Sequence, residues 1–257
     1  MSAWRLLLTR PAEECALAAA TLAEQGIHSA SLPLLAIEPF AETPEQRSRI
    51  LELDAYHAVI AVSKPAARLG VDLLDTYWPQ PPVGPLWFGV GAATGAVFAD
   101  YGLDAYWPEE GADSEALLAF PILTKALAQP APRVLLINGE GGRTLLADTL
   151  QARGVQLDTL TLYRRVLPEY SPDTLLQTLQ AEGLNGIVVS SGQGLLSLRE
   201  LAADGWPHLN PLTLFVPSSR VADMARQMGL GNVVDCRGAG TPALLTALRE
   251  TPVPAAA

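Results

Sequence analysis

Cysteine and histidine are too scarce in this sequence to favour a metal centre. Cys15 and Cys236 lie near opposite ends of the chain, and the three histidines, His28, His57 and His208, show no C-x-x-C or H-x-x-x-H spacing. The same scarcity argues against a disulfide framework, and no Ser-His-Asp set suggests itself. Cys15, on an alanine-rich helical stretch, reads as a core residue. Basic side chains are few as well: 17 Lys plus Arg against 27 Asp plus Glu give a formal charge of −10. Long-range steering of nucleic acid or of an anionic membrane is therefore disfavoured, and a polyanionic ligand would need a local positive pocket. No run approaches the ~18 continuous apolar residues of a membrane span, and the apolar run in MSAWRLLLTRP is too short for a signal segment. A cytoplasmic protein is expected. What the chain does have is 49% hydrophobic residues over 257 positions, enough to fill the cores of one or two domains.

Short β-type runs alternate with alanine- and leucine-rich stretches of helical length throughout, the pattern of an α/β protein with parallel sheets. Expected strands are RLLLT (5–9), SLPLLAI (31–37), HAVIAV (57–62), LWFGV (86–90), DAYW (104–107), RVLLI (133–137), TLTLY (159–163), GIVVS (186–190), LTLFV (212–216) and NVVDC (232–236). Helix-start signals fall between them at Pro11, Pro44, Asp113-Ser114 and Ser171-Pro172.

The succession repeats. Arg5-Leu-Leu-Leu8 and Arg133-Val-Leu-Leu136 differ by 128 in number, as do Gly26 and Gly154. The same shift lays AVIAVS (58–63) over GIVVSS (186–191) and LWF (86–88) over LFV (214–216), and Gly102 meets Gly229 after a slip of one. One five-strand unit used twice is the expectation. It bears on Gly89-x-Gly91-x-x-x-Gly95, which resembles a dinucleotide fingerprint. Such a fingerprint follows the first strand of a βαβ unit and is answered by an acid ending the second. Here the glycines follow the third strand, and Glu109, roughly twenty residues on, lies in a Pro-Glu-Glu-Gly loop. The second copy, FVPSSRVA, keeps the strand-turn-helix form without the glycines, so the shared requirement is a sharp turn that delivers backbone N–H groups at a helix start.

Ligands of open parallel sheets bind beyond the carboxyl ends of the strands. The residues following the strands here are Thr9-Arg10, Ser63-Lys64, the turn from Gly91 to Thr94, and Asn138-Gly139-Glu140-Gly141-Gly142-Arg143. In the second copy they are Ser190-Ser191-Gly192 and Ser218-Ser219-Arg220. Hydroxyls, amides and cations recur at these ends. Each serine can equally be a helix cap, and each cation an ordinary solvated charge. Arg143 and Arg220 stand out because glycines or serines precede them. Arg164 and Arg165 alternate on a strand, so at most one faces a ligand.

In order and spacing, LLLTRP (6–11), LPLLAIEP (32–39), AVIAVSKPAA (58–67), FGVGAATGAVFADYGLDA (88–105), INGEGGRTLLADTLQARGVQLDTLTLYRR (137–165), VVSSGQGLLSL (188–198) and LFVPSSRVADMARQMGL (214–230) resemble the uroporphyrinogen-III synthase family. The resemblance covers almost the whole chain. It departs at Val216-Pro-Ser218-Ser-Arg220, where some members carry Gly-x-x-Thr, and at Val62-Ser63, where Thr-Ser is common.

The resemblance implies two small parallel-sheet α/β domains joined by a two-stranded hinge, with a cleft between them. The first would comprise residues 1–36 and 167–257, the second 39–163, with crossings near 36–39 and 163–167. It further implies a monomeric, cofactor-free lyase that takes linear hydroxymethylbilane, removes water, inverts ring D through a spiro intermediate and closes the macrocycle. A transient contact with the hydroxymethylbilane synthase that supplies the substrate is left open, as is a two-lobed anion-binding or sensor domain without catalysis. The pyrrole nitrogen can itself expel the hydroxyl, and the bilane closes unaided to the uninverted isomer, so what the enzyme must supply is geometry. The substrate's eight carboxylates fit an acidic protein only through short-range contacts, since net charge is screened over ~8 Å. Tyr163, which ends the LTLY strand and matches the family's tyrosine, is the candidate for proton assistance, with packing at a strand end as the alternative.

Overall fold

The computed structural model describes residues 3–111 and 113–254. The strands are β1 (Arg5–Leu8), β2 (His28–Ser31), β3 (Ala36–Pro39), β4 (Ala58–Ala61), β5 (Leu86–Gly89), β6 (Ala105–Tyr106), β7 (Arg133–Gly139), β8 (Gln156–Val166), β9 (Gly186–Val188), β10 (Thr213–Val216) and β11 (Val233–Asp235). The helices are α1 (Ala12–Glu24), α2 (Pro44–Leu51), α3 (Lys64–Tyr77), α4 (Ala92–Asp100), α5 (Ser114–Leu118), α6 (Pro121–Ala126), α7 (Leu145–Ala152), α8 (Thr174–Ala181), α9 (Gly192–Ala202), α10 (Ser219–Gln227) and α11 (Thr241–Glu250). Contacts divide the chain into two compact units. One runs up to Ala36 and resumes at Val166; the other spans Ile37–Arg165. The boundaries fall at the first residue of β3 and the last residue of β8.

The first unit holds a sheet of order β11-β10-β9-β1-β2, all parallel. Both faces are covered, which is why its strands read as unbroken apolar runs. Leu7, Ile187, Val189, Leu214 and Val216 pack toward α8, α9 and α10. The alternate residues Leu6, Leu8, Val188 and Phe215 pack toward α1 and α11. The second unit holds the order β3-β8-β7-β4-β5-β6. There Val59, Ala61, Trp87, Leu135 and Ile137 face α2, α3 and α4. Ala58, Ile60, Phe88, Val134 and Leu136 face α5, α6 and α7.

The expected strand over 31–37 is instead two strands, β2 and β3, with Leu32 and Leu34 buried in the segment between them. Pro33 has no N–H to donate to a ladder, and the Leu32 and Leu34 N–H groups bond the carbonyls of Leu8 and Thr9. The repeat is visible in the hydrogen-bond register. Adding 128 to Arg5, His28 and Ala58 gives Arg133, Gln156 and Gly186, the first residues of β7, β8 and β9. The pair Leu6 with Gly186 in one sheet is the pair Val134 with Ala58 in the other. Strand order carries over too: β2-β1-β9-β10-β11 becomes β8-β7-β4-β5-β6. Each unit therefore takes two of these strands from one half of the chain and three from the other.

One overlay needs correcting. Ala58 pairs with Leu86, whereas Gly186 pairs with Thr213, so Leu86–Gly89 corresponds to Thr213–Val216 and not to a segment beginning at Leu214. Short apolar runs look alike after a slip of one, and only the pairing register separates the two alignments.

Among the described residues no helix is long and apolar enough to cross a membrane, and no cluster of His, Cys, Asp and Glu could hold a metal ion. Both cysteines are free. Burial pushes the Cys15 thiol up, and burial together with neighbouring Asp235 pushes Cys236 up to about 11. A thiol shifted that far holds on the order of a hundredfold less thiolate at pH 8 than an ordinary one. Native protein treated with iodoacetamide at pH 8 should therefore alkylate at both positions far more slowly than urea-unfolded protein, read by intact mass. Equal rates would contradict this packing.

Candidate active site

In an open α/β sheet the ligand crevice opens where neighbouring strands lead their helices in opposite directions along the sheet. In the second unit this reversal lies between β4 and β7, because β4-β5-β6 runs one way and β7-β8 the other. A cavity of about 360 Å³ opens there. Val62 and Val90, just past β4 and β5, form apolar wall. Asn138, Gly141, Gly142 and Arg143 come from the end of β7 and its loop, Asp113 and Ser114 from the start of α5, and Arg165 from the end of β8. Gly141 sits at φ +68°, a conformation that lets the loop turn back over the strand ends. Asn138 accepts the Thr161 hydroxyl at 2.8 Å through its Oδ1. Arg143 makes a solvent-exposed ion pair with Glu115 at 3.3 Å.

A β-bulge decides how β8 presents its end. Asn138 pairs with Thr161 but Gly139 pairs with Tyr163, so Leu162 is skipped. The bulge turns Tyr163 onto the same buried face as Leu160 and Leu162. Two residues on, Arg165 shares that side and reaches the cavity, while Arg164 points away and pairs with Glu38 at 2.6 Å. The two-arginine alternative posed by the sequence is thus resolved in favour of Arg165.

Tyr163 has no exposed surface. Its ring lies against Gly139 so closely that a Cβ there would stand 2.4 Å from the ring. Its phenol oxygen is 2.8 Å from Ser63 Oγ and receives a bond of 3.2 Å from Arg165 Nη2. The Arg165 guanidinium also lies 5.5 Å from the ring centre. The direct contact with a ligand expected of this phenol is not available in this conformation, because the bulge buries it.

The other expected residues divide between the units. In the second, Ser63 caps α3 by accepting the Ala66 N–H at 3.2 Å, and Lys64 follows it on the exposed first turn. Gly91 caps α4 with extended backbone at φ −166°. Thr94, expected among the binding residues, is instead buried in the α4 packing and leaves little surface for a ligand in this conformation. Gly139 serves the Tyr163 ring. The glycines of the motif prove to be a packing device: a Cβ at Gly89 would stand 2.3 Å from the Gly95 nitrogen, and one at Gly95 would stand 2.1 Å from the Trp107 ring.

In the first unit Thr9 is buried and spends its hydroxyl on the Val188 carbonyl at 2.7 Å, joining β1 to β9; this too corrects its expected role. Arg10 occupies the position that Asn138 holds in the other unit (10 + 128 = 138). Only 9% exposed, it donates through Nη2 to the Ala239 carbonyl, and its Nε has no partner among the described residues. Ser190 follows β9 partly exposed, and Ser191 caps α9 by accepting the Gly194 N–H at 3.0 Å. Ser218 holds the cap position of α10 without a side-chain cap bond, and Ser219 is exposed. Arg220 lies across Gly192 at the start of α9, its nitrogens 3.4 and 3.5 Å from where a Cβ would be.

The cavity residues not singled out for binding from the sequence are Val62, Val90, Asp113, Ser114, Leu136, Gly142 and Leu146. Asp113-Ser114 carried a helix-start signal, and Asp113 does cap α5 by accepting the Ala116 N–H at 2.9 Å. Nothing local marks that helix start as a cavity wall.

A family model described as uroporphyrinogen-III synthase HemD matches residues 17–246. The uroporphyrinogen-III synthase of Salmonella typhimurium is 30% identical over 247 residues, covering 95% of this chain and 99% of that one. The Escherichia coli protein of the same name is 29% identical over 253 residues, with the same coverage. Among solved structures, uroporphyrinogen-III synthetase from Helicobacter pylori aligns with a TM-score of 0.57 at 14% identity, over 96% of this chain and 100% of that one. A uroporphyrinogen III synthase mutant from Thermus thermophilus aligns at 0.54 and 18% identity, over 97% and 100%. These likenesses show a shared fold, and the family match with the 30% identical relative shows that the chain belongs to the uroporphyrinogen-III synthase family.

Proposed function

We propose that this chain catalyses the dehydrative closure of linear hydroxymethylbilane to uroporphyrinogen III, with inversion of ring D. The observation that carries the reading, in a chain of this family, is a cavity at the β4/β7 reversal lined by two guanidiniums, Arg143 and Arg165, and the Asn138 amide. A guanidinium fork binds a carboxylate at bonding distance regardless of the chain's overall negative charge. The substrate's carboxylates are the handles by which its rings can be set. Held so that the substituted carbon of ring D meets the electrophilic methylene, the chain closes through a spiro intermediate; left free, it closes to the uninverted isomer. Positioning of this kind is worth several kcal/mol.

The test is to supply purified protein with hydroxymethylbilane, oxidise the products and resolve the porphyrin isomers. Isomer III should dominate. A protein that binds anions without transforming them would leave isomer I dominant, which would overturn the reading.

A further inference from the structure

The hydrogen-bond chain beneath the cavity has a direction that follows from counting donors. Arg165 can only donate, so the 3.2 Å bond from its Nη2 makes the Tyr163 oxygen an acceptor. The Ala66 N–H likewise donates to Ser63 Oγ. Between Tyr163 and Ser63, 2.8 Å apart, either hydroxyl could give the proton. If Ser63 gave it, the phenol hydrogen would be left in a fully enclosed side chain with no other acceptor among the described residues, at a cost of about 1–3 kcal/mol. If Tyr163 gives it, the buried phenol hydrogen has its acceptor in Ser63 Oγ. The hydrogen of Ser63, a partly exposed residue, is then free for a further acceptor, and Arg165, which bonds the same phenol, reaches the cavity.

Resting on the reaction stated under Proposed function, we propose that Ser63 is the catalytic residue presenting a proton to the departing hydroxyl, and that Tyr163 and Arg165 polarise it from behind. In this step the carbon–oxygen bond breaks with its electron pair on oxygen, and the pyrrole nitrogen's pair fills the vacated carbon. Ser63 completes the water, the phenol proton moves to Ser63 Oγ, and the resulting phenolate faces the Arg165 guanidinium. After the new carbon–carbon bond forms, the proton lost as the pyrrole is restored returns along the same chain. Hydrogen bonds in such a series reinforce one another.

The order of mutant effects distinguishes this from a phenol acting directly. Ser63→Ala should lower kcat about a hundredfold with little change in KM, the scale of a lost proton donor. Ser63→Thr keeps hydroxyl and cap and should restore the rate to within a few fold. Tyr163→Phe should cost less, about tenfold, since the serine hydroxyl remains, and the double variant should be no slower than Ser63→Ala alone. A merely capping Ser63 would lower thermal stability and leave kcat untouched. Wild-type kcat in Ser63→Ala, or a folded Tyr163→Phe slower than Ser63→Ala, would overturn the assignment. Neutron diffraction of the deuterated wild type decides the polarity independently of any variant or assay: a deuteron on the Tyr163 oxygen aimed at Ser63 supports it, and the reverse refutes it. Wild type yielding only isomer I would sink the reaction, while the neutron map would still judge the hydrogen-bond direction.

Discussion

Arg165→Met should lower kcat/KM for hydroxymethylbilane by roughly 10- to 150-fold, while Arg164→Met should change it by no more than about twofold. The two residues are neighbours in sequence with the same side chain, so the contrast isolates the bulge that separates them. Arg165 lines the cavity and is held by the Tyr163 phenol. Its removal should forfeit the charge-assisted bonds proposed to a substrate carboxylate, worth about 1.5–3 kcal/mol, and leave Tyr163 without the Arg165 donor. Arg164 is half exposed and paired with Glu38, whose carboxyl it holds below the usual range through their hydrogen bond. Steady-state kinetics with isomer-resolved products would check both variants. Equal losses in the two would mean that β8 does not present its end as described.

Gly89→Ala should destabilise the second unit by about 3 kcal/mol, lowering the thermal midpoint by roughly 6–12 °C. The added methyl would meet backbone, the Gly95 nitrogen at 2.3 Å and its Cα at 2.7 Å, so no side-chain rotation relieves it. Helix α4 would have to move off β5 by about 1 Å, breaking close packing on which Trp87 and Phe98 depend. Gly95→Ala should cost less, because its 2.1 Å contact is with the Trp107 side chain, which can shift. Gly194→Ala, in a helix with 3.4 Å to its nearest neighbour, should be close to neutral, since alanine favours the helix. Thermal unfolding by circular dichroism ranks the three. An unchanged midpoint for Gly89→Ala would show that the strand and helix are not in the contact described. The same contact explains why this glycine pattern resembles a nucleotide fingerprint: close approach of helix to strand needs glycine whatever the ligand.

Much of the cavity lining was legible because parallel sheets put functional residues after strands, and apolar runs mark strands. Asn138, Gly141 and Arg143 were found that way and line the cavity. Thr9 and Thr94 were drawn in by the same rule and are buried, because position at a strand end says nothing of where a hydroxyl points. Asp113 and Ser114 escaped the rule, since they reach the cavity from a helix start after the sheet's edge strand β6.

By itself the sequence determined the class of fold and its duplication, for burial on both faces demands apolar strands, and two copies of one unit repeat that demand at a fixed spacing. It also determined the alternation of Arg164 and Arg165, which is a property of any extended chain. Only the tertiary structure decided which arginine serves the cavity, where the repeat slips by one residue, and that Tyr163 stands behind Ser63 with no surface of its own. Those outcomes depend on a bulge and a pairing register, which are set by hydrogen bonds between strands distant in sequence, and no local pattern of residues records them.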